Sequence, residues 1–419
     1  MTIKKRILLL ILLGMAGGTI YDFPYIKYIF YNQMLSAMNI SNTQLGLLSS
    51  VFGIICLILY IPGGILADKL NSKHSLTLSL LGTAALAGVF ALTLNFYVAI
   101  AVWLMLAFTS GFVFWSALIK LVRVVGGEKN SGRMFGIYYA SNGLSAALLN
   151  FGALWVYGFP ADKHLGMVLA SLTMAVTIAC IAILLFFLLP KDIQVDGGEE
   201  KAPSFRDISK VFTKPTVWAI AVVFFMTYAL FSSISYLTPY LTDVVGISTQ
   251  TSSVLGVVRN YVFLLLAPIS GLIADKIFKS TLKWFMVGYF VLAIVLILIS
   301  TVSGMSPMLV ALLSLIPGVL ALGLYGIQFS IISECNIPVA LMGATTGFVS
   351  LIAYLPDLVL PAWFGKILDT QKNTGYHTIF LILALFAVVV CLGSVLIYRM
   401  NSAHTNVKKT SQKVPGEVA

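Results

Sequence analysis

The chain has 419 residues, of which 59% are hydrophobic and only 10% charged, with a mean hydropathy of +0.98. A soluble domain carries about a quarter of its residues as charges, so this composition excludes water as the main solvent of the chain. The formal net charge of +11 raises the possibility of a nucleic-acid partner, which the placement of the basic residues excludes in favour of a lipid bilayer.

An α-helix needs roughly 20 apolar residues to cross about 30 Å of hydrocarbon. Twelve such runs follow one another, at 7–33, 44–67, 75–94, 97–122, 134–158, 166–189, 216–241, 250–274, 282–302, 306–332, 342–364 and 376–398. Period-two alternation is absent, so the expected fold is an all-α membrane protein of twelve transmembrane helices and not a barrel. Residues 1–18 resemble a signal peptide, with Lys4-Lys5-Arg6 ahead of an apolar core. The unbroken continuation to Tyr31 and the eleven later runs predict an uncleaved first helix instead. Lys4, Lys5, Arg6, Lys69, Lys73, Lys129, Arg133, Lys276, Lys279, Lys283, Arg399, Lys408 and Lys409 fall on one side of this topology, and only Lys163, Lys366 and Lys372 on the other. The positive-inside rule then puts both termini in the cytoplasm.

Pro190 ends the sixth run, and residues 190–215 form the one long polar connection, read as a cytoplasmic linker with a short amphipathic helix around 205–212. The expected organisation is a six-helix bundle at 1–189, the linker, a second six-helix bundle at 216–399, and a polar cytoplasmic tail at 400–419. Cys56, Cys180, Cys335 and Cys391 lie in or at the ends of runs without paired spacing and read as reduced packing residues. The four histidines are assigned to loops or the tail. No nucleotide-binding loop, metal-ligand cluster or Ser-His-Asp grouping appears, so no cofactor or metal is expected and the energy for any transport must come from a gradient.

The halves are related. Gly64-Ile-Leu-Ala-Asp68-Lys69 returns 207 positions later as Gly271-Leu-Ile-Ala-Asp275-Lys276, and Tyr21 aligns with Tyr228 and Ile40-Ser41 with Ile247-Ser248 at the same offset. Such a repeat predicts two pseudo-symmetric bundles that rock against each other. Twelve runs, a central linker and the Gly-x-x-x-Asp-Lys box resemble the major facilitator superfamily. That resemblance implies a cytoplasmic gate built on Gly64, Asp68 and Lys69, repeated at Gly271, Asp275 and Lys276, with Asn71 where the family usually has Gly. The stretch from Ser41 to Asp68 is similar to the anion:cation symporter branch, which carries a first-helix acid about where Asp22 stands. Phe23 takes the place of the Arg expected next, and Phe112, Val113 and Phe114 the place of the fourth-helix Glu. Organophosphate antiporters are a more distant likeness, their two arginines falling near Tyr25 and Phe231.

Charges inside apolar runs cost roughly 2.5–3.5 kcal/mol at mid-bilayer and therefore need a role. Asp22 and Lys27 lie in the first run, Lys120 in the fourth, Arg259 in the eighth and Asp357 in the eleventh. Arg259 is 16 residues before Asp275, about 24 Å along a helix, hence near mid-bilayer. It is the leading anion-binding residue, the alternative being a salt bridge with Asp357 that locks the eighth and eleventh helices together. Lys27 and Lys120 either join the binding site or snorkel, Arg123 is assigned to the gate, and Asp22 and Asp357 are the expected proton carriers. Tyr21, Tyr25 and Tyr28, at i, i+4 and i+7, share a helix face. With Trp115, Tyr138, Tyr139, Asn142, Tyr228, Tyr236, Tyr325 and Gln328 they are candidate cavity wall, or else packing and interfacial belt. Gly136, Gly143, Gly343 and Gly347 read as close-packing positions in the fifth and eleventh helices.

These features together predict a monomeric secondary transporter in a bacterial inner membrane, moving a small organic anion (a sugar acid, sulfonate, carboxylate or organophosphate) by alternating access with protons. The alternatives are a proton-coupled exporter of amphipathic drugs or metabolites and a non-transporting solute sensor.

Overall fold

The computed structural model describes residues 3–126, 131–190, 213–301, 305–335, 337 and 339–411. The linker at 191–212 and its expected amphipathic helix lie outside the described residues, as does the end of the tail. Every regular element among the described residues is helical. Among the described residues nine stretches are long and apolar enough to cross a membrane, and one of these, Thr345–Asn401, turns back on itself at Lys372, whose φ of 53° is left-handed. The helical stretches Ile3–Met38 and Ser131–Tyr157 pack among them. Large apolar side chains such as Leu92, Phe187 and Ile58 point outward and are exposed, as expected where lipid replaces water.

Short polar caps start the helices. Ser41 and Gln44 form a reciprocal capping box at the start of Asn42–Lys69, with Gln44 N donating to Ser41 Oγ at 3.2 Å and Ser41 N donating to Gln44 Oε1 at 2.9 Å. Asn71, Asn95 and Asp162 each accept from backbone N–H groups at the starts of the next helices. His74, His164 and His377 fall in the first turns of helices, where sequence reasoning had assigned loops.

Near the middle of the molecule several helices are broken. The first span is Ile3–Ile20 and Lys27–Met38, joined by a non-helical turn at 21–26 that contains Pro24. The fourth span holds a π-segment at Ala107–Phe112, the seventh a 3₁₀ turn at Ile234–Tyr236, and the eighth another at Val262–Leu266. The eleventh span breaks between Ala353 and Pro356. A broken helix is tolerated at membrane depth only where protein or a cavity satisfies the freed backbone groups. Here Trp103 Nε1 donates to the Pro24 carbonyl at 3.0 Å and Tyr21 Oη to the Ser110 carbonyl at 2.9 Å. Tyr21 and Asp22 are therefore in a turn and not mid-helix, so the expected shared face of Tyr21, Tyr25 and Tyr28 does not form. Tyr25 and Tyr28 pack at 5.1 Å, while Tyr21 turns toward Phe114 and Trp115.

Hydrogen bonds between residues before and after the linker gather at mid-depth and at the end holding the 39–41 turn, the outer end in the expected orientation. Asp369 accepts from the backbone N–H groups of Asn42 and Thr43 at 3.0 and 2.8 Å, from Asn42 Nδ2 at 2.9 Å and from Thr43 Oγ1 at 2.5 Å. A carboxylate at the end of Pro356–Gln371 thus caps the helix Asn42–Lys69 from the opposite half, where the positive end of the helix favours it. Asn32 Nδ2 donates to Asp243 at 2.7 Å, and Gln33 Nε2 to Ser253 Oγ at 2.8 Å. Between the capped helix and Pro356–Gln371 the backbones nearly touch. A methyl group on Gly46 would collide with the Pro361 carbonyl, and one on Gly365 with the Asn42 carbonyl. Gly136 and Gly347, expected to bring helices together, instead face open space, and Gly14, Gly17 and Gly18 do that work against Tyr138–Ser145.

Two outcomes follow. Gly365→Leu should prevent closure of the outer end, so that a cysteine placed at Ser49, which is buried here, reacts with an impermeant thiol reagent added from outside in a background lacking the native cysteines. Asp369→Ala should weaken the closed state by about 2 kcal/mol through loss of the helix cap and its side-chain bonds, shifting the same labelling in the same direction while Asp369→Asn shifts it less.

Candidate functional site

The broken helices meet at a cluster formed by both halves. Asp357 opens the helix Pro356–Gln371, directly after the break in the eleventh span, and is 7% exposed. Its Oδ2 accepts from Tyr25 Oη at 3.0 Å and from Tyr228 Oη at 2.5 Å. Tyr25 comes from the broken turn of the first span and Tyr228 from the helix Pro215–Ser233, so one carboxylate oxygen ties three spans together. Lys27, two residues beyond Tyr25, is 5% exposed and lies within electrostatic range of Asp357. Its ammonium sits 5.8 Å from the centroid of the Tyr236 ring and has no hydrogen-bond acceptor or ion-pair partner among the described residues. Lys27 does not snorkel to the surface, as one sequence reading allowed.

Around this cluster the wall is aromatic. Tyr228 packs at 4.9 Å against Tyr354 and at 6.0 Å against Tyr325, which stacks on Phe231 at 4.2 Å. Tyr25 packs edge-on to Phe52. Across the two halves Tyr354 lies within electrostatic range of Tyr21, Tyr60, Tyr139 and Tyr325, and Tyr21 of Tyr60 and Tyr138. Trp115 joins this wall through Tyr21. Asn142 is half-buried beside Gly17, and Gln328 is buried with its Oε1 unpartnered among the described residues.

Arg259 is wholly buried at 0% exposure and does not form the salt bridge with Asp357 that one sequence reading allowed. Its Nη2 donates to Thr238 Oγ1 at 2.7 Å and its Nη1 to Ser314 Oγ at 3.2 Å, while Nε has no partner among the described residues. Thr238 Oγ1 in turn donates to the Tyr28 carbonyl at 3.2 Å. The guanidinium therefore stands behind the Tyr236–Thr238 segment, linked through Thr238 to the residue next to Lys27. A side chain on Gly318 would displace Arg259, so that glycine makes the space it occupies.

Asp22 is 2% exposed and faces Tyr261 of the other half, while its Oδ2 is unpartnered among the described residues. It faces neither Lys27 nor Asp357. Lys120 is half-buried toward the inner end of its span. Of the gate residues, Gly64 lies 3.8 Å from Ser116 Oγ when given a Cβ, and the side chains of Asp68 and Arg123 lie outside the described residues. Gly271 starts no close contact beyond Ile327, Lys69 and Lys276 are exposed, and Asp275 is exposed beside an open cavity of about 370 Å³ with Lys279, Ser330 and Glu334. The carboxylate that caps the following helix there is Glu334, which accepts from Thr281 N at 2.8 Å and from Ser280 Oγ.

Sequence reasoning missed Trp103, Thr238, Ser314, Tyr261, Glu334 and Asp369. Pro24 within an apolar run was the available signal for the break that Trp103 supports. The others are ordinary polar or aromatic residues whose partners lie far along the chain.

The family model for the Major Facilitator Superfamily matches residues 7–361. The chain is 27% identical to the inner membrane protein YqcE of Escherichia coli over 98% of this chain and 99% of that one, and 28% identical to the inner membrane protein YihN of the same organism over 92% and 94%. A bacterial homologue of the human lysosomal transporter Spinster, solved in an inward-facing and unoccupied conformation, superimposes with a TM-score of 0.75 at 15% identity, covering 95% of this chain and 98% of that one. Apolar helices, helices broken at mid-depth and the matched family agree: the chain belongs to the Major Facilitator Superfamily and is an integral membrane transporter, not an enzyme.

Proposed function

We propose that this transporter carries a small organic anion across a bacterial inner membrane by alternating access, with protons as the coupling ion. The observation that carries the reading is Lys27: a buried ammonium at the contact between the halves with no acceptor of its own. A buried charge without a bonded counter-charge is costly, and it persists where a ligand of opposite sign visits. Arg259 adds a second buried cation with an unsatisfied Nε–H, close behind the same segment. A guanidinium and an ammonium offer donors suited to carboxylate, sulfonate or phosphate oxygens. The tyrosine-rich wall supplies hydroxyls and ring faces for the organic part of the solute. Names of the Escherichia coli relatives support the inner-membrane setting.

Each half supplies part of the site, so binding and release are linked to the halves' relative position. The two six-helix bundles at 1–189 and 216–399 act as the moving bodies. Closure at the outer end through Asp369 and the Gly46–Pro361 and Gly365–Asn42 approaches leaves the inner path for exchange, and the boxes around Asp68 and Asp275, with Arg123, close that path in the opposite state. Asp22 and Asp357 are the candidate proton carriers, with Lys120 lining the inner approach.

Uptake into proteoliposomes of glucuronate, methanesulfonate, glycerol 3-phosphate and succinate, with and without an inward proton gradient, tests the proposal. At least one anion should accumulate, and more so with the gradient. Lys27→Met and Arg259→Ala should each lower that uptake at least about tenfold, the effect of losing roughly 1.4 kcal/mol or more of charge-assisted binding. Full uptake by both variants sinks the anion site.

A further inference from the structure

We propose that Asp357 is the site's resident anion: ionised, it occupies the hydrogen-bond donors that the transported anion needs, and it yields them only when it takes up a proton. This rests on the anion reading above and adds to it the means by which one proton is tied to one anion.

The geometry makes the two anions exclusive. Tyr25 and Tyr228 each have a single O–H, and both are spent on Asp357 Oδ2, at 3.0 and 2.5 Å. A solute oxygen that accepts from either phenol must displace the carboxylate from that hydrogen bond. Lys27, within electrostatic range and bonded to nothing else, is the only cation facing Asp357 among the described residues. The other titratable groups facing Asp357 are Tyr25 and Tyr28 on the first span, Cys56 on the second, Tyr228 on the seventh, Tyr325 on the tenth and Tyr354 on its own. None of these supplies a second positive charge. Lys27 and Asp357 therefore balance each other in the empty site, while Arg259 stands behind the Tyr236–Thr238 segment on two hydroxyls.

A second ionised group in this low-dielectric pocket would leave a net negative charge beside two buried carboxylate oxygens, which is costly. Protonating Asp357 forms an O–H bond on the carboxyl, removes its charge and frees both phenols. The incoming anion then restores neutrality as Lys27's counter-ion. On the other side of the membrane the steps reverse, the anion leaving as the proton leaves Asp357. A monoanion thus crosses with one proton and no net charge. Asp22, which faces Tyr261 and not Lys27, takes no part in this exchange.

Binding of the monoanions glucuronate and methanesulfonate to the purified full-length protein, as a function of pH, tests the proposal. In the wild type affinity should fall about tenfold per pH unit once Asp357 is ionised, as one linked proton requires. Asp357→Asn, folded by its melting temperature and monodispersity, should bind with affinity independent of pH over that range. In liposomes, wild-type uptake should be indifferent to an imposed membrane potential, and Asp357→Asn uptake should become sensitive to it and lose proton-driven accumulation. Tyr228→Phe, which removes the shorter bond to the ionised carboxylate, should move the pH midpoint of binding upward, and it stands as the test where Asp357→Asn does not fold. A pH dependence retained by Asp357→Asn, a folded variant that binds neither anion, or an unmoved midpoint in Tyr228→Phe overturns the proposal while leaving the anion site standing. Failure of the wild type to bind either anion at any pH overturns both.

Discussion

The structure depends on how charge is kept in a medium that cannot solvate it. A carboxylate or ammonium at membrane depth needs an opposite charge or several donors at hand, and no residue adjacent in sequence supplies them here. Asp357 finds two phenols and a cation on two other spans, Arg259 finds two hydroxyls, and Asp22 finds a phenol across the halves. Each of these side chains therefore fixes a relation between helices, and the same bonds that make burial tolerable hold the halves together at mid-depth.

The helix breaks follow from the same constraint. An intact helix satisfies its own backbone and presents only side chains to a solute. Interrupting the first span at 21–26 releases carbonyls that must be bonded elsewhere, and Trp103 takes the one at Pro24. In exchange the turn places Tyr25 and Lys27 toward Asp357, which an α-helical register running through Asp22 would not achieve. Asp357 gains from the break in its own span, because it stands in the first turn of Pro356–Gln371, where the positive end of the helix favours negative charge. The π-segment at Ala107–Phe112 and the 3₁₀ turns at Ile234–Tyr236 and Val262–Leu266 likewise interrupt the fourth, seventh and eighth spans part-way along their length.

What the sequence disclosed divides along the same line. Apolar runs report their solvent directly, so the all-helical membrane fold, the repeat and the family were legible. The rarity of charge in those runs also singled out Lys27, Asp22, Arg259 and Asp357. Pairing was not legible, because it depends on where breaks rotate a side chain. A continuous first helix puts Tyr21 with Tyr25, and the actual turn sends Tyr21 to Ser110 and Tyr25 to Asp357. Arg259 and Asp357 were matched by charge alone, yet two hydroxyls claim the guanidinium. Glycines show the same limit: Gly136 and Gly347 look like packing positions, while Gly46 and Gly365, single residues with no local pattern, carry the close approach.

The two acids at helix starts illustrate how a duplicated chain becomes directional. Glu334 caps the helix beginning at Thr281 from within its own half, and such a bond survives any motion of one half against the other. Asp369 caps the helix beginning at Asn42 from the opposite half, so under the proposed alternating access its four bonds last only while that end is shut. Similar chemistry therefore has different mechanical meaning according to which side of the dividing surface the acceptor stands on. A cap within a bundle adds to rigidity, whereas a cap between bundles adds to the free-energy difference between two states of the transporter, which is the quantity that its bound solute must shift.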